Sequence, residues 1–147
     1  MKNISYGIIV CLFVLTAFRG HVANLPVRAD FATVYIYRGG QFFGSALNYA
    51  IFANGERICK LSNNKFIEYK AKPGKLALTA HRGGVEVFKK ETSLDLDVVA
   101  DKTYYVKGDQ KSSITRTRLE LSEVTENTGK RDMNGMTVDA CQETMNK

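Results

Sequence analysis

The chain has 147 residues, 44% hydrophobic and 24% charged, and its 21 basic against 15 acidic side chains give a net charge of +6. These proportions are those of an ordinary globular domain and exclude a disordered chain, a collagen-like repeat and a multi-span membrane protein. Two prolines, no tryptophan and twelve glycines leave room for ordered elements between flexible turns.

Lys2 precedes an apolar run over residues 7–18, which gives way to small and polar residues. A basic start, an apolar stretch of about 7–15 residues and a small-residue exit are the parts of a secretory signal peptide. The run is too short for the roughly 20 apolar residues that a membrane span requires. Residues 1–23 are therefore expected to be a signal peptide, with Ala17 competing with Ala23 as the cut site. Cleavage after Ala23 leaves 124 residues and removes Lys2 and Arg19, which lowers the charge from +6 to +4. Cys11 departs with the leader, and the bulky Ile8, Ile9 and Val10 before it argue against a lipid anchor there. The expected location is the periplasm or the extracellular space, with no membrane span in the mature chain.

Residues 31–124 read as short strands between turns. FATVYIY (31–37) is aromatic and β-branched, and Gly39-Gly40 follows. ALNYAIFA (46–53) runs into Asn54-Gly55, the strongest short hairpin signal, whose return strand is ERICKL (56–61). Asn63-Asn64 turns into KFIEYK (65–70), and Pro73-Gly74 makes the next turn. KLALTAH (75–81) sets Leu76, Leu78 and Ala80 on one face against Ala77, Thr79 and His81 on the other. Residues 85–91 are an edge strand or a loop. TSLDLDVV (92–99) alternates again, and such period-2 patterns mark half-buried strands. KTYYVKG (102–108) and residues 114–124 close the series. The polar stretch 125–147 reads as a tail, either disordered or with a short helix after Asn134-Gly135. The expected fold is an all-β antiparallel sandwich of about seven to eight strands, immunoglobulin-like or prealbumin-like.

The segments ATVYIYR (32–38), FGSAL (43–47), Asn54-Gly55 with Leu61, Pro73-Gly74-Lys75, ADKTYYVK (100–107) and the closing Leu119-Glu120-Leu121 stand in an order that resembles the bacterial domain of unknown function 2846 family. The resemblance spans roughly residues 31–132. It implies a β-sandwich in the cell envelope, in small exported or lipid-anchored proteins, and implies no activity. Asp101 stands where that family tends to carry Gly.

Residue chemistry points to binding rather than catalysis. His81 is the one histidine left after export, and it reads as a solvated strand-end residue or, in a rival hydrolase reading, as a base beside a carboxylate. One histidine and two distant cysteines do not make a zinc site. Asp95 and Asp97, with Asp101 near, read as a solvated strand face before a calcium site, so no cofactor or metal is expected. Cys59 and Cys141 are either a disulfide pair or, as the sequence favours, two separate thiols. The Gly-rich stretch 38–45 lacks the Lys-Ser/Thr and helix of a phosphate loop. It is expected to cross between sheets with Phe42 or Phe43 packed inward; outward aromatics would make it a binding loop. The candidate binding residues are Arg38, Gln41, Phe42, Phe43, His81 and Arg82, because recognition residues favour loops held by a rigid scaffold. The expected partner is another envelope protein, by edge-strand pairing in one reading, or an anionic envelope surface. Lys and Tyr interleave at 65–70 and 104–107, but an exported chain at +4 is not expected to bind nucleic acid.

Overall fold

The computed structural model describes residues 30–82, 93–114 and 116–140. The expected signal peptide with Cys11, Gly83 and Gly84, residues 85–91 and Cys141 lie outside them. Among the described residues nine strands form two layers. The first sheet runs β8 (Thr117–Val124), β7 (Thr103–Ser112), β1 (Ala32–Arg38), β4 (Lys65–Ala71), β9 (Thr137–Val138); the second runs β3 (Glu56–Leu61), β2 (Tyr49–Ala53), β5 (Gly74–Arg82), β6 (Ser93–Val98). The sandwich is therefore two-layered as the alternating patterns imply. Its pairing is mixed: β1 lies parallel to β7 and β4 parallel to β9, while the other described pairs are antiparallel.

Alternation decides which side chains enter the core. Val34 and Ile36 of β1, Tyr49 and Ile51 of β2, Leu76 and Leu78 of β5, Val106 of β7 and Leu119 of β8 meet between the sheets, all buried. The outward face of β6 carries Asp95 and Asp97, and Lys75 donates to both Asp97 oxygens at 2.8 and 3.0 Å. Asn54 and Gly55, both at positive φ, close the β2–β3 hairpin in the two-residue turn read from the sequence. Asp101 has φ +63 in the β6–β7 turn, a left-handed position that favours glycine. Just beyond it, the Tyr104 hydroxyl donates to the Asp97 carbonyl at 3.2 Å and accepts from the Val99 amide at 3.0 Å. That strap ties the start of β7 to the opposite sheet, as a tyrosine corner does in Greek-key sandwiches.

Residues 125–140 of the polar stretch hold a helix and a short strand, and the helix lies earlier than the sequence suggests. Helix α1 (Glu126–Asp132) precedes the Asn134-Gly135 turn. Thr125 caps it by accepting from the Thr128 amide, Glu126 occupies the first turn, and Lys130 and Arg131 occupy the last, each complementing the helix dipole. It lies on the outer aromatic face of the first sheet, where Tyr35 stacks on Tyr105 with centroids 5.4 Å apart and meets Phe66 edge-on at 6.0 Å. A Cβ on Gly129 would sit 2.3 Å from Cδ1 of Tyr105. Only glycine lets the helix approach that ring. Tyr37, on the same face, is fully buried and donates to Asp132 Oδ2 at 3.1 Å.

Candidate functional site

The β1–β2 connection crosses from the first sheet to the second. Its conformation follows from what the core does at its end. Arg38 continues the inward series Ala32, Val34, Ile36, so its guanidinium points between the sheets, and the residue is fully buried. Gln110 continues the inward series Val106, Gly108 on the neighbouring β7. Arg38 Nη1 donates to the Leu47 carbonyl at 2.5 Å, and Nη2 donates to the Gly44 carbonyl at 2.9 Å and to Gln110 Oε1 at 2.6 Å. The Tyr49 hydroxyl donates to the same Oε1 at 3.2 Å, and the Arg38 guanidinium carbon lies 5.2 Å from the Tyr49 ring centroid. Gln110 Nε2 in turn donates to the Phe43 carbonyl at 3.2 Å. Two side chains thus hold three carbonyls of one loop.

The charge of Arg38 is met by neutral acceptors and an aromatic face rather than by a carboxylate, and its Nε is buried without an acceptor. Burial lowers the Arg38 pKa from its usual value, with Tyr49 opposing. Burial raises the Tyr49 phenol, against the pull of Arg38 and Arg82. An uncompensated buried cation is costly, so it needs every carbonyl the loop supplies.

Gly44 makes the clamp feasible. It has φ +75, and a Cβ there would lie 2.3 Å from Gln110 Nε2. Upstream, the Gln41 amide donates to Asn63 Oδ1 at 3.0 Å, and Asn63 Nδ2 donates back to the Gln41 carbonyl at 3.2 Å. With its carbonyls turned inward, the loop turns its aromatics out. Phe42 and Phe43 are 88% and 85% exposed, packed edge-to-face with centroids 5.4 Å apart. The inward packing expected of one of them does not occur, because Arg38, Gln110 and Tyr49 already fill that end of the core.

The second half of the loop walls a shallow cavity of about 360 Å³ with Ala46, Leu47 and Asn48. Ala50 of β2, Arg57 and Lys60 of β3 and Arg82 of β5 complete its described lining. Arg57 and Lys60 share this face through a bulge. Ile51 pairs with Cys59 but Phe52 with Arg57, which leaves Ile58 as the extra residue. In a regular strand a spacing of three puts two side chains on opposite faces.

Of the residues named from the sequence, Arg38, Gln41, Phe42 and Phe43 meet in the loop, and Arg82 joins its far end. His81 belongs to the neighbouring sheet face. The solvated strand end expected for it is not found: it is 9% exposed, and its ring packs on Phe52 at 4.4 Å with planes 30° apart. Phe52 pairs with Thr79 across β2 and β5, so His81 is its diagonal neighbour, a spacing that aromatic rings bridge. Among the described residues no three His, Cys, Asp or Glu side chains gather as a metal site, and no helix is long and apolar enough to cross a membrane. Cys59 is disulfide-bonded, with its partner outside the described residues. Gln110, Asn63, Arg57 and Lys60 were not among the sequence candidates, and Gly44 entered only as part of the Gly-rich stretch 38–45. The inward period of Val106, Gly108 and Gln110 was the available signal for the first of them.

Fold and loop define a small two-sheet β-sandwich, closed at one end by a clamped loop that presents an aromatic pair. Residues 28–120 match the family described as Protein of unknown function (DUF2846). The chain belongs to that family. No curated protein and no solved structure matches it.

Proposed function

We propose that the protein is an exported, non-catalytic binding module of the cell envelope, and that the Phe42–Phe43 tip is its contact surface. One observation carries the reading: two large aromatics stand almost wholly in water on a loop whose backbone is fixed from within by Arg38 and Gln110. Apolar surface held rigidly outward favours an interface, because little ordering entropy is lost when a partner covers it.

Export is supported by the leader-like composition of residues 1–23 and by the disulfide at Cys59, since disulfides persist in oxidising compartments. Pairing of Cys59 with Cys141 belongs to the same reading. The Ser62 amide donates to Asp139 Oδ2 at 2.6 Å, and the Asp139 amide donates to the Phe66 carbonyl at 2.9 Å. These bonds bring the chain two residues before Cys141 to a point three residues after Cys59.

Co-sedimentation with isolated cell envelopes tests the contact surface. The wild-type protein is expected in the pellet, and F42S/F43S is expected to bind about tenfold more weakly, a change of roughly 1.4 kcal/mol, with its melting temperature unchanged. Equal retention of both proteins would remove the loop from the function.

A further inference from the structure

The cavity beside the loop has a chemistry of its own. Arg57, Lys60 and Arg82 are exposed and line one concavity. The Ile58 bulge is what places Arg57 and Lys60 on the same side, and Arg82 reaches it from the end of β5, opposite Tyr49. The aromatic tip belongs to the same connection: Phe43 and Ala46 are three residues apart, at most about 10 Å along the chain. A cationic hollow and an apolar point therefore lie side by side.

We propose that this corner docks on an anionic phospholipid surface, with Arg57, Lys60 and Arg82 receiving a lipid phosphate while Phe42 and Phe43 enter the acyl boundary. The proposal rests on the reading of Phe42–Phe43 as the contact surface and names what it contacts. A bilayer presents the two matching chemistries in the required arrangement, a plane of negative phosphates with apolar chains a few ångströms deeper. Each half alone is weak. A few basic residues give salt-sensitive attraction to an anionic leaflet, and one short apolar anchor gives only marginal, reversible binding. Together they supply the two signals that stable peripheral attachment requires. The rigid clamp adds a further advantage, because the aromatic pair is already ordered before it meets the membrane.

Flotation with vesicles of equal parts phosphatidylglycerol and phosphatidylcholine, compared with pure phosphatidylcholine, tests the proposal. The wild-type protein is expected to float with the anionic vesicles and to be released by salt. R57Q/K60Q/R82Q and F42S/F43S are each expected to lose affinity by about tenfold or more. Melting temperatures check that each variant folds, and R82Q alone replaces the triple variant if the latter does not. The chain has no tryptophan, so Phe42→Trp supplies a depth reporter. Blue-shifted emission, quenched by brominated lipid, is expected on binding. Emission that stays water-like on vesicle-bound protein overturns insertion. Anionic binding that the basic-residue variant leaves intact overturns the cavity as the headgroup site. Competition by soluble glycerol phosphate, with F42S/F43S binding vesicles normally, reassigns the cavity to a free phosphate ligand. No flotation at all, alongside envelope co-sedimentation that still depends on Phe42 and Phe43, overturns the lipid assignment and points to a protein partner. The contact-surface reading survives that last result.

Discussion

Gln110 links a buried cation to an exposed loop tip: its Oε1 accepts from Arg38 at 2.6 Å, and its Nε2 donates to the Phe43 carbonyl at 3.2 Å. The same amide oxygen takes the Tyr49 hydroxyl. Core stability and loop shape therefore depend on one side chain with two polar ends.

Arg38→Leu is expected to destabilise the protein by about 3 kcal/mol, since it orphans Gln110 Oε1 and the Gly44 and Leu47 carbonyls. Urea unfolding should show a lower midpoint with an unchanged slope. Limited chymotrypsin digestion should cut first after Phe42 or Phe43, because the loop has lost its inner anchor. A variant that keeps both its midpoint and its resistance would show that the clamp contributes nothing.

Gly44→Ala and Gly55→Ala form a matched pair. Both residues have positive φ, but a Cβ at Gly55 meets nothing within 4 Å, whereas at Gly44 it meets Gln110 at 2.3 Å. Gly55→Ala should cost about 1 kcal/mol from backbone conformation alone. Gly44→Ala should cost more, and it should weaken the proposed Phe42–Phe43 contact as well. Thermal melts of the two variants side by side give the difference.

Gly129→Ala reverses the usual rule for helices. Alanine ordinarily stabilises a helix interior by about 1 kcal/mol over glycine, but here the methyl group meets the Tyr105 ring at 2.3 Å. We expect α1 to lift from the sheet and the variant to melt lower. Amide exchange should quicken over residues 126–132 before it does in β7. A rise in melting temperature would show that the ring yields easily.

The Tyr37–Asp132 hydrogen bond makes stability fall at both ends of the pH scale. Burial opposes ionisation of Asp132, but donation from Arg131 and Tyr37 and the charges of Arg131 and Lys107 outweigh it, and its pKa lies below the ordinary 3.8. Its stabilisation is present above that value and is lost as pH falls through the depressed one. Burial, then the bond to Asp132, raises Tyr37 above 10.0, so its share is present below pH 10 and is lost as pH rises further. Asp132→Asn should flatten the acid limb of a stability–pH profile. Tyr37→Phe should flatten part of the alkaline limb, to which Tyr35, Tyr49 and Tyr69, all raised by burial, also contribute.

Non-reducing peptide mapping should join the peptides that contain Cys59 and Cys141. Closing the loop between them is worth about 4 kcal/mol in the chain-entropy account. Reduction, or Cys141→Ser, should therefore lower the melting temperature. Recovery of the Cys141 peptide as a free thiol would refute the pairing.

What the sequence revealed follows the range of the interactions concerned. Asn54-Gly55 announced its hairpin because the turn depends on two residues' own backbone preferences. Leu76, Leu78 and Ala80 announced a buried face because burial follows period 2. The neighbours of β1 were not legible, since Thr33 and Thr103 come together only in the finished sheet. Arg38 read as a binding residue of the loop because an arginine at a strand end usually reaches water, and its burial depends on carbonyls of a loop that the strand itself does not specify. The basic cavity was hidden by the Ile58 bulge, which changes the parity of the strand. Helix α1 was hidden by weak helix formers in ENTGKRD, which hold together through the Thr125 cap and the fit of Gly129 on Tyr105.

The position of β1 bears on how quickly the molecule can form. It is the first of the described strands to be made, yet it lies between β4 and β7, and Thr33 waits for Thr103, seventy residues later, before its parallel ladder can close. Such long-range closure gives a high contact order, and folding at that contact order takes milliseconds to seconds rather than microseconds. The sandwich cannot set before most of its chain is present. A polypeptide built this way acquires its clamped loop only once β7, which carries Gln110, has been made.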